Sequence, residues 1–177
     1  MLTIDVRAST LLLIDFQAKL MPAILDAGTV VANARRLIGA AAILGVPVLF
    51  TEQNAKGLGP TVSELAPHPS LIVHKMAFDA CREPGFLSRL AEGHAIVAAG
   101  CEAHVCVLQT ALGLVETARQ VFVVRDAAGS RRAESKETAF RRMERHGVEA
   151  VTAEMVIFEW LQTAEHPRFR ETAALIK

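Results

Sequence analysis

Neither sign of charge predominates in this chain of 177 residues: 19 Lys and Arg stand against 19 Asp and Glu, for a formal net charge of zero. Without a broad cationic field to hold phosphates, no nucleic-acid partner is expected. A neutral surface on a chain that is 51% hydrophobic is poorly protected against self-association, so a homo-oligomer is expected. Cysteine is scarce as well. Three thiols, an odd number, give no disulfide framework, and a reducing, cytoplasmic location is expected. The first seven residues carry Asp5 and Arg7 and lack the basic start and apolar core of a signal peptide. Every wholly apolar run falls far short of the ~20 residues that cross a bilayer, so no membrane partner is expected. There is no internal repeat, low-complexity tract or break in composition. One domain over 1–177, with a generous core, is the expectation.

What is present is alternation. Short apolar runs at 10–14, 46–51, 71–74, 95–99, 121–124 and 148–152 are predicted to be strands. Helical patterns lie at 30–44, 84–91, 104–119, 134–146, 155–164 and 166–175, and 52–65 and 126–132 read as loops. The first helix shows the spacing plainly, with Val30, Ala34, Leu37, Ala41 and Leu44 on one stripe. Strand–helix alternation calls for a three-layer, Rossmann-like α/β fold with helices on both faces of a parallel sheet. Right-handed crossovers leave few topologies, of which 3-2-1-4-5-6 is the commonest, with its switch point between strands one and four.

That order brings three chemically able residues to one edge. Asp15 ends the first strand, Lys75 closes the third, and the turn Gly100–Cys106 follows the fourth. Ligands bind outside the carboxyl ends of strands at such a switch point. A thiol near a helix start and beside an ammonium is expected to ionise more easily than a free one and to attack a carbonyl. A carboxylate in reach can carry its proton, and the N–H groups of the turn can hold an oxyanion. Each residue also has a plainer reading: Cys106 as a small core residue, Asp15 as a turn cap, Lys75 as a solvated strand end. The segment Gly57-Leu58-Gly59-Pro60-Thr61 has neither the spacing nor the lysine of a phosphate loop. Arg131-Arg132 and Arg141-Arg142 read as solvated positions.

These residues resemble a family. Ile14-Asp15-Phe16-Gln17, His74-Lys75 followed by Phe78, and Gly100-Cys101-Glu102-Ala103-His104-Val105-Cys106-Val107-Leu108-Gln109-Thr110-Ala111 resemble the three motifs of isochorismatase-like cysteine hydrolases. The resemblance implies a catalytic triad of Cys106, Asp15 and Lys75 and hydrolysis through a thioester. It also implies a cis peptide at Cys101–Glu102 that aims the Glu102 and Cys106 N–H groups at an oxyanion. Nicotinamidases of the family place an Asp-x-His-x-His metal site after strand two. Here Thr51-Glu52-Gln53-Asn54-Ala55-Lys56-Gly57 holds no histidine, so neither a metal nor another cofactor is expected. The sequence is closer to the divergent isochorismatase-domain branch. By this analogy Phe16, Gln53, Phe78 and His104 wall a pocket suited to a small, uncharged amide or imide. A non-catalytic or redox-responsive α/β protein with Cys106 as a sensor thiol, and Cys101 close by, is the alternative. Drawing Cys101, His104, Cys106 and His74 as a zinc set matches no structural zinc spacing. The last helices, with Ile157, Phe158, Trp160 and Leu161, pack either on their own sheet or on a partner subunit.

Overall fold

The computed structural model describes residues 2–65 and 67–176. Six parallel strands, β1 (Ser9–Ile14), β2 (Val48–Gln53), β3 (Ile72–Lys75), β4 (Ala95–Cys101), β5 (Val121–Gly129) and β6 (Glu149–Val151), form one sheet in the order β3-β2-β1-β4-β5-β6. All six residues of β1 are buried, as expected of a central strand covered on both faces. Its side chains alternate between two cores. Leu11 and Leu13, with Val97, Ala99 and Cys101 of β4, face one; Leu12 and Ile14, with Ile96 and Ala98, face the other.

The first core is closed by α1 (Ala27–Leu44), which buries Val30, Ala34, Leu37 and Ala41, and by the last helices. Length and composition would let α1 cross a bilayer, but here its apolar stripe lies on the sheet. A short α2 (Ala55–Leu58) lies between β2 and β3. The second core is closed by α3 (Leu108–Glu116) and α4 (Ala133–Arg145), through Leu108, Ala111, Leu114, Phe140 and Met143. The chain ends in α5 (Ala153–Leu161) and α6 (Phe169–Ala173). Ile157, Trp160 and Leu161 of α5 are buried on the chain's own sheet, where the Trp160 indole donates to Ser9 Oγ.

Four local expectations are corrected. Residues 84–91 form no α-helix: two single 3₁₀ turns, Ala80–Arg82 and Leu87–Arg89, flank Gly85, whose φ of +82° breaks any continuous helix. Phe86 and Leu90 still reach the core. The helix expected from residue 104 begins with a π-helical turn, Ala103–Val107, before α3. The loop expected at 52–65 holds the end of β2 and α2. Finally, β5 continues through 126–129, because a bulge lets it rejoin β4: Ala98 pairs with Val123, but Gly100 pairs with Ala128. Ala127, Ala128 and Gly129 are small enough to be buried there, and the next loop starts at residue 130, four residues later than expected.

Candidate active site

Register sets the site. Ile14 pairs with Thr51 on one side and Gly100 on the other, and Gln53 pairs with Lys75. Thus β1 to β4 end together, and the segments leaving them meet at one crevice. Asp15 adopts a left-handed conformation, φ +54°, which Asp tolerates better than most residues. Its Oδ2 accepts from Lys75 Nζ at 2.8 Å and its Oδ1 from Thr51 Oγ1 at 2.6 Å. Neither side chain of the Asp15–Lys75 pair has any exposed surface. A buried ammonium needs acceptors, and Lys75 has three more: Gln53 Oε1 at 2.8 Å and the Ala77 and Phe78 carbonyls at 3.3 Å.

Gln53 is itself held. Its side-chain Nε2 donates to the Met76 carbonyl at 2.7 Å, and its backbone exchanges two hydrogen bonds with the buried Gln17 amide. The amide expected to line a pocket therefore spends both ends on the lysine segment. Phe16, 1% exposed, belongs to the α1-side core instead of a pocket wall. Phe78 is half-exposed, and His104 Nδ1 is hydrogen-bonded to Ser130 Oγ at 3.0 Å. A cavity of about 530 Å³ at the ends of β2 and β3 is lined by Lys56, His74, Met76 and Glu83 beside Lys75.

Cys106 lies in the π-helical turn, 6% exposed and in the α3-side core. Such turns recur at functional sites. Its thiol is pushed up to about 12. Burial is the main cause; the Asp15 carboxylate adds to it, and Lys75 offsets part. The expectation that this thiol ionises easily is corrected. The ammonium that was to favour the thiolate is already committed to Asp15, and burial penalises a second anion. Cys101 lies in the opposite core and Cys81 is partly buried; both thiols are also pushed up to about 12, chiefly by burial.

The turn before Cys106 is tightly built. A Cβ on Gly100 (φ +150°) would stand 2.2 Å from the Ile14 carbonyl oxygen, so the β1–β4 approach requires glycine. The Cys101–Glu102 peptide is cis. The Glu102 carbonyl accepts the Val105 and Val107 N–H groups at 3.0 and 3.3 Å, and the Cys106 N–H between them is not among its donors. The Glu102 carboxylate is gripped by Arg131 from the loop after β5. Burial alone would raise that carboxyl, but the hydrogen bonds and charge of Arg131 outweigh it and hold it below the usual range. Sequence reasoning missed Thr51, Gln17 and Arg131 as neighbours of the site. Thr51 and Gln17 lie inside its motifs, but Arg131 reads as a solvated loop residue. Among the described residues no three His, Cys, Asp or Glu side chains gather as a metal-binding group. His74, drawn into the zinc set, is mostly exposed and lies 3.4 Å from Glu52.

A three-layer sheet with a thiol, a carboxylate and an ammonium at its switch point defines the class, and comparison with known proteins gives the family. The isochorismatase domain matches residues 9–155. The chain is 36% identical over 175 residues to isochorismatase domain-containing protein 2 of Danio rerio, covering 98% of this chain and 89% of that one. Its fold superposes on the MAR1 ribonuclease of Caenorhabditis elegans with a TM-score of 0.91 at 36% identity, covering 98% and 92% of the two chains. It superposes on the YcaC gene product of Escherichia coli, an octameric hydrolase of unknown specificity, with a TM-score of 0.88 at 27% identity, covering 99% and 88%. This chain belongs to the isochorismatase family and has its hydrolase fold.

Proposed function

We propose that the chain is a cysteine hydrolase that cleaves a carbonyl C–N bond in a small, uncharged amide or imide. The observation that carries this reading is a fully buried Asp15–Lys75 pair beside a neutral, nearly buried Cys106 thiol. A thiol pushed that high does not wait as a thiolate. It reacts by giving its proton to Asp15 as Sγ attacks the carbonyl carbon. The Glu102 and Cys106 N–H groups receive the negative charge that develops on the carbonyl oxygen. The intermediate collapses to a thioester as the C–N bond breaks, and the proton on Asp15 passes to the leaving nitrogen. Water then attacks the thioester, yields a proton to Asp15, and the proton returns to Sγ as the acid departs. Lys75 keeps Asp15 oriented and offsets its charge in both halves.

The test is a screen for ammonia or amine release over small amides, ureas and imides, with short RNA oligonucleotides as a further arm because one similar protein is named a ribonuclease. Turnover of an amide or imide, a thioester adduct on Cys106 in quenched reactions, and none of either in Cys106→Ala are expected. Turnover that persists in Cys106→Ala, or RNA cleavage alone, overturns the reading. A redox sensor that works through a Cys101–Cys106 disulfide is disfavoured, because the two side chains belong to cores on opposite faces of the sheet. The reading extends to self-association. Met155 and Phe158 are exposed apolar residues on α5, and the similar Escherichia coli hydrolase is octameric. Light scattering on the eluted protein should show more than one copy.

A further inference from the structure

Arg131 has the exposure of a solvated residue, with 59% of its side chain open to water. Its contacts are of another kind. Its backbone N–H donates to Glu102 Oε2 at 2.9 Å, its Nε lies 3.1 Å from both carboxylate oxygens, and its Nη2 donates to Oε1 at 2.7 Å. The carboxylate it grips is 5% exposed. A planar guanidinium bound in this forked way fixes both position and direction of a carboxylate, which an ammonium does not.

The gripped residue is the first after β4, and its neighbour is the proposed nucleophile turn. A second tie lies one residue away, where Ser130 Oγ meets His104 Nδ1 at 3.0 Å. Ser130 is in turn anchored, its carbonyl accepting the Leu25 N–H at 3.1 Å. The loop after β5 is thus stitched to the turn on both sides of Ala103. The other side of the turn is Gly100, the residue with the fewest backbone constraints of its own.

We propose that Arg131 is a positioning residue for acyl transfer: its fork fixes Glu102 so that the Glu102 N–H stays aimed at the carbonyl oxygen of the reacting group. The inference rests on the reading of Cys106 as nucleophile with the Glu102 N–H as an oxyanion donor. Among the described residues the Arg131 side chain hydrogen-bonds Glu102 alone, and it is through Glu102 that it acts. Its effect should appear only in reactions that develop an oxyanion.

Two electrophiles for the same thiol separate that effect from a structural one. With p-nitrophenyl acetate, Sγ attacks the carbonyl carbon, charge develops on its oxygen, the bond to p-nitrophenolate breaks, and the thiol proton leaves through Asp15 to solvent. With iodoacetamide, Sγ displaces iodide from a saturated carbon, the proton leaves likewise, and no oxyanion forms. Acetylation of Cys106, followed by p-nitrophenolate release and mass analysis, is expected to slow on the order of tenfold or more in Arg131→Ala. Glu102→Gln should match it, and Arg131→Lys should recover only part. Alkylation by iodoacetamide should remain within about twofold of wild type in all three, well inside the loss a displaced oxyanion donor brings. Wild-type acetylation in Arg131→Ala overturns the inference, and so does a proportionate fall of both reactions, which would mark a structural role. Acetylation that is undiminished in Cys106→Ala overturns instead the underlying assignment of the nucleophile, and the inference with it.

Discussion

Two carboxylate–cation pairs flank Cys106, and they are built in opposite ways. Asp15 and Lys75 meet across β2 at a single 2.8 Å contact with no surface exposed on either side chain. Glu102 and Arg131 meet through a fork, with the carboxylate buried and the guanidinium mostly in water. In the proposed mechanism the first pair brings charge to where a proton would move, at the cost of desolvating both ions. The second desolvates little on its cationic side and supplies direction instead. On the proposed reading, burial marks the pair that would do proton chemistry, and forked geometry the pair that would aim the backbone.

The sharpest way to break this comparison is to remove one buried charge. Lys75→Met leaves the Asp15 carboxylate buried without its cation, and should lower the free energy of unfolding by about 3–5 kcal/mol in urea titrations. Asp15→Asn should cost less, because Lys75 keeps three neutral acceptors and Asn also tolerates the φ of +54°. Adding Asp15→Asn to Lys75→Met should then recover part of the loss. Equal costs for the two single variants would mean that the neutral acceptors do not share the ammonium. Next in size is Thr51→Val. It keeps the shape and removes a hydrogen bond to a charged oxygen, for about 1.5–3 kcal/mol. Arg131→Ala sharpens the contrast from the other side. It leaves the Glu102 carboxylate with the backbone N–H of residue 131 in place of the fork, so its urea midpoint should fall, but by less than in Lys75→Met, while acetylation of Cys106 falls.

The buried pair was legible in the sequence, and the exposed pair was not. Asp15 and Lys75 stand at the ends of apolar runs whose strand character is plain, and the strand order brings them to one edge of the sheet with β2 between them. Gly100 and Cys106 emerge from the same logic. Thr51 becomes a partner of Asp15 only through the register that sets Ile14 against Thr51, and no pattern of apolar residues fixes register that closely. Arg131 depends on the β5 bulge, which carries the strand through Asp126 and delivers the loop to Glu102. A short-range reading of polarity ends that strand too early. The ionisation of Cys106 was the largest misreading. A helix start and a nearby ammonium are visible in sequence, but the sharing of that ammonium with Asp15, and the depth of burial, are not.

The remaining expected effects concern pH, and they too separate the two pairs. All three thiols are pushed up to about 12 in the folded chain, whereas a free thiol titrates at about 8.5. Between those values the unfolded chain has lost thiol protons that the folded chain retains. The stability these groups contribute is therefore complete below about pH 8.5 and declines as pH rises towards 12. Urea midpoints should be flat with respect to the thiols at neutral pH and fall above pH 9, less steeply in Cys101→Ala. The profile of Cys106 alone is read by its alkylation rate with iodoacetamide. In the wild type that rate should keep climbing beyond pH 9 instead of levelling where a free thiol does. Asp15→Asn removes the charge that raises the thiol and leaves the Lys75 charge that lowers it, so its profile should move to lower pH. Arg131→Ala touches neither influence, and its profile should overlie the wild type. A shift in Arg131→Ala, or none in Asp15→Asn, would show that the two pairs do not divide proton chemistry and aim between them.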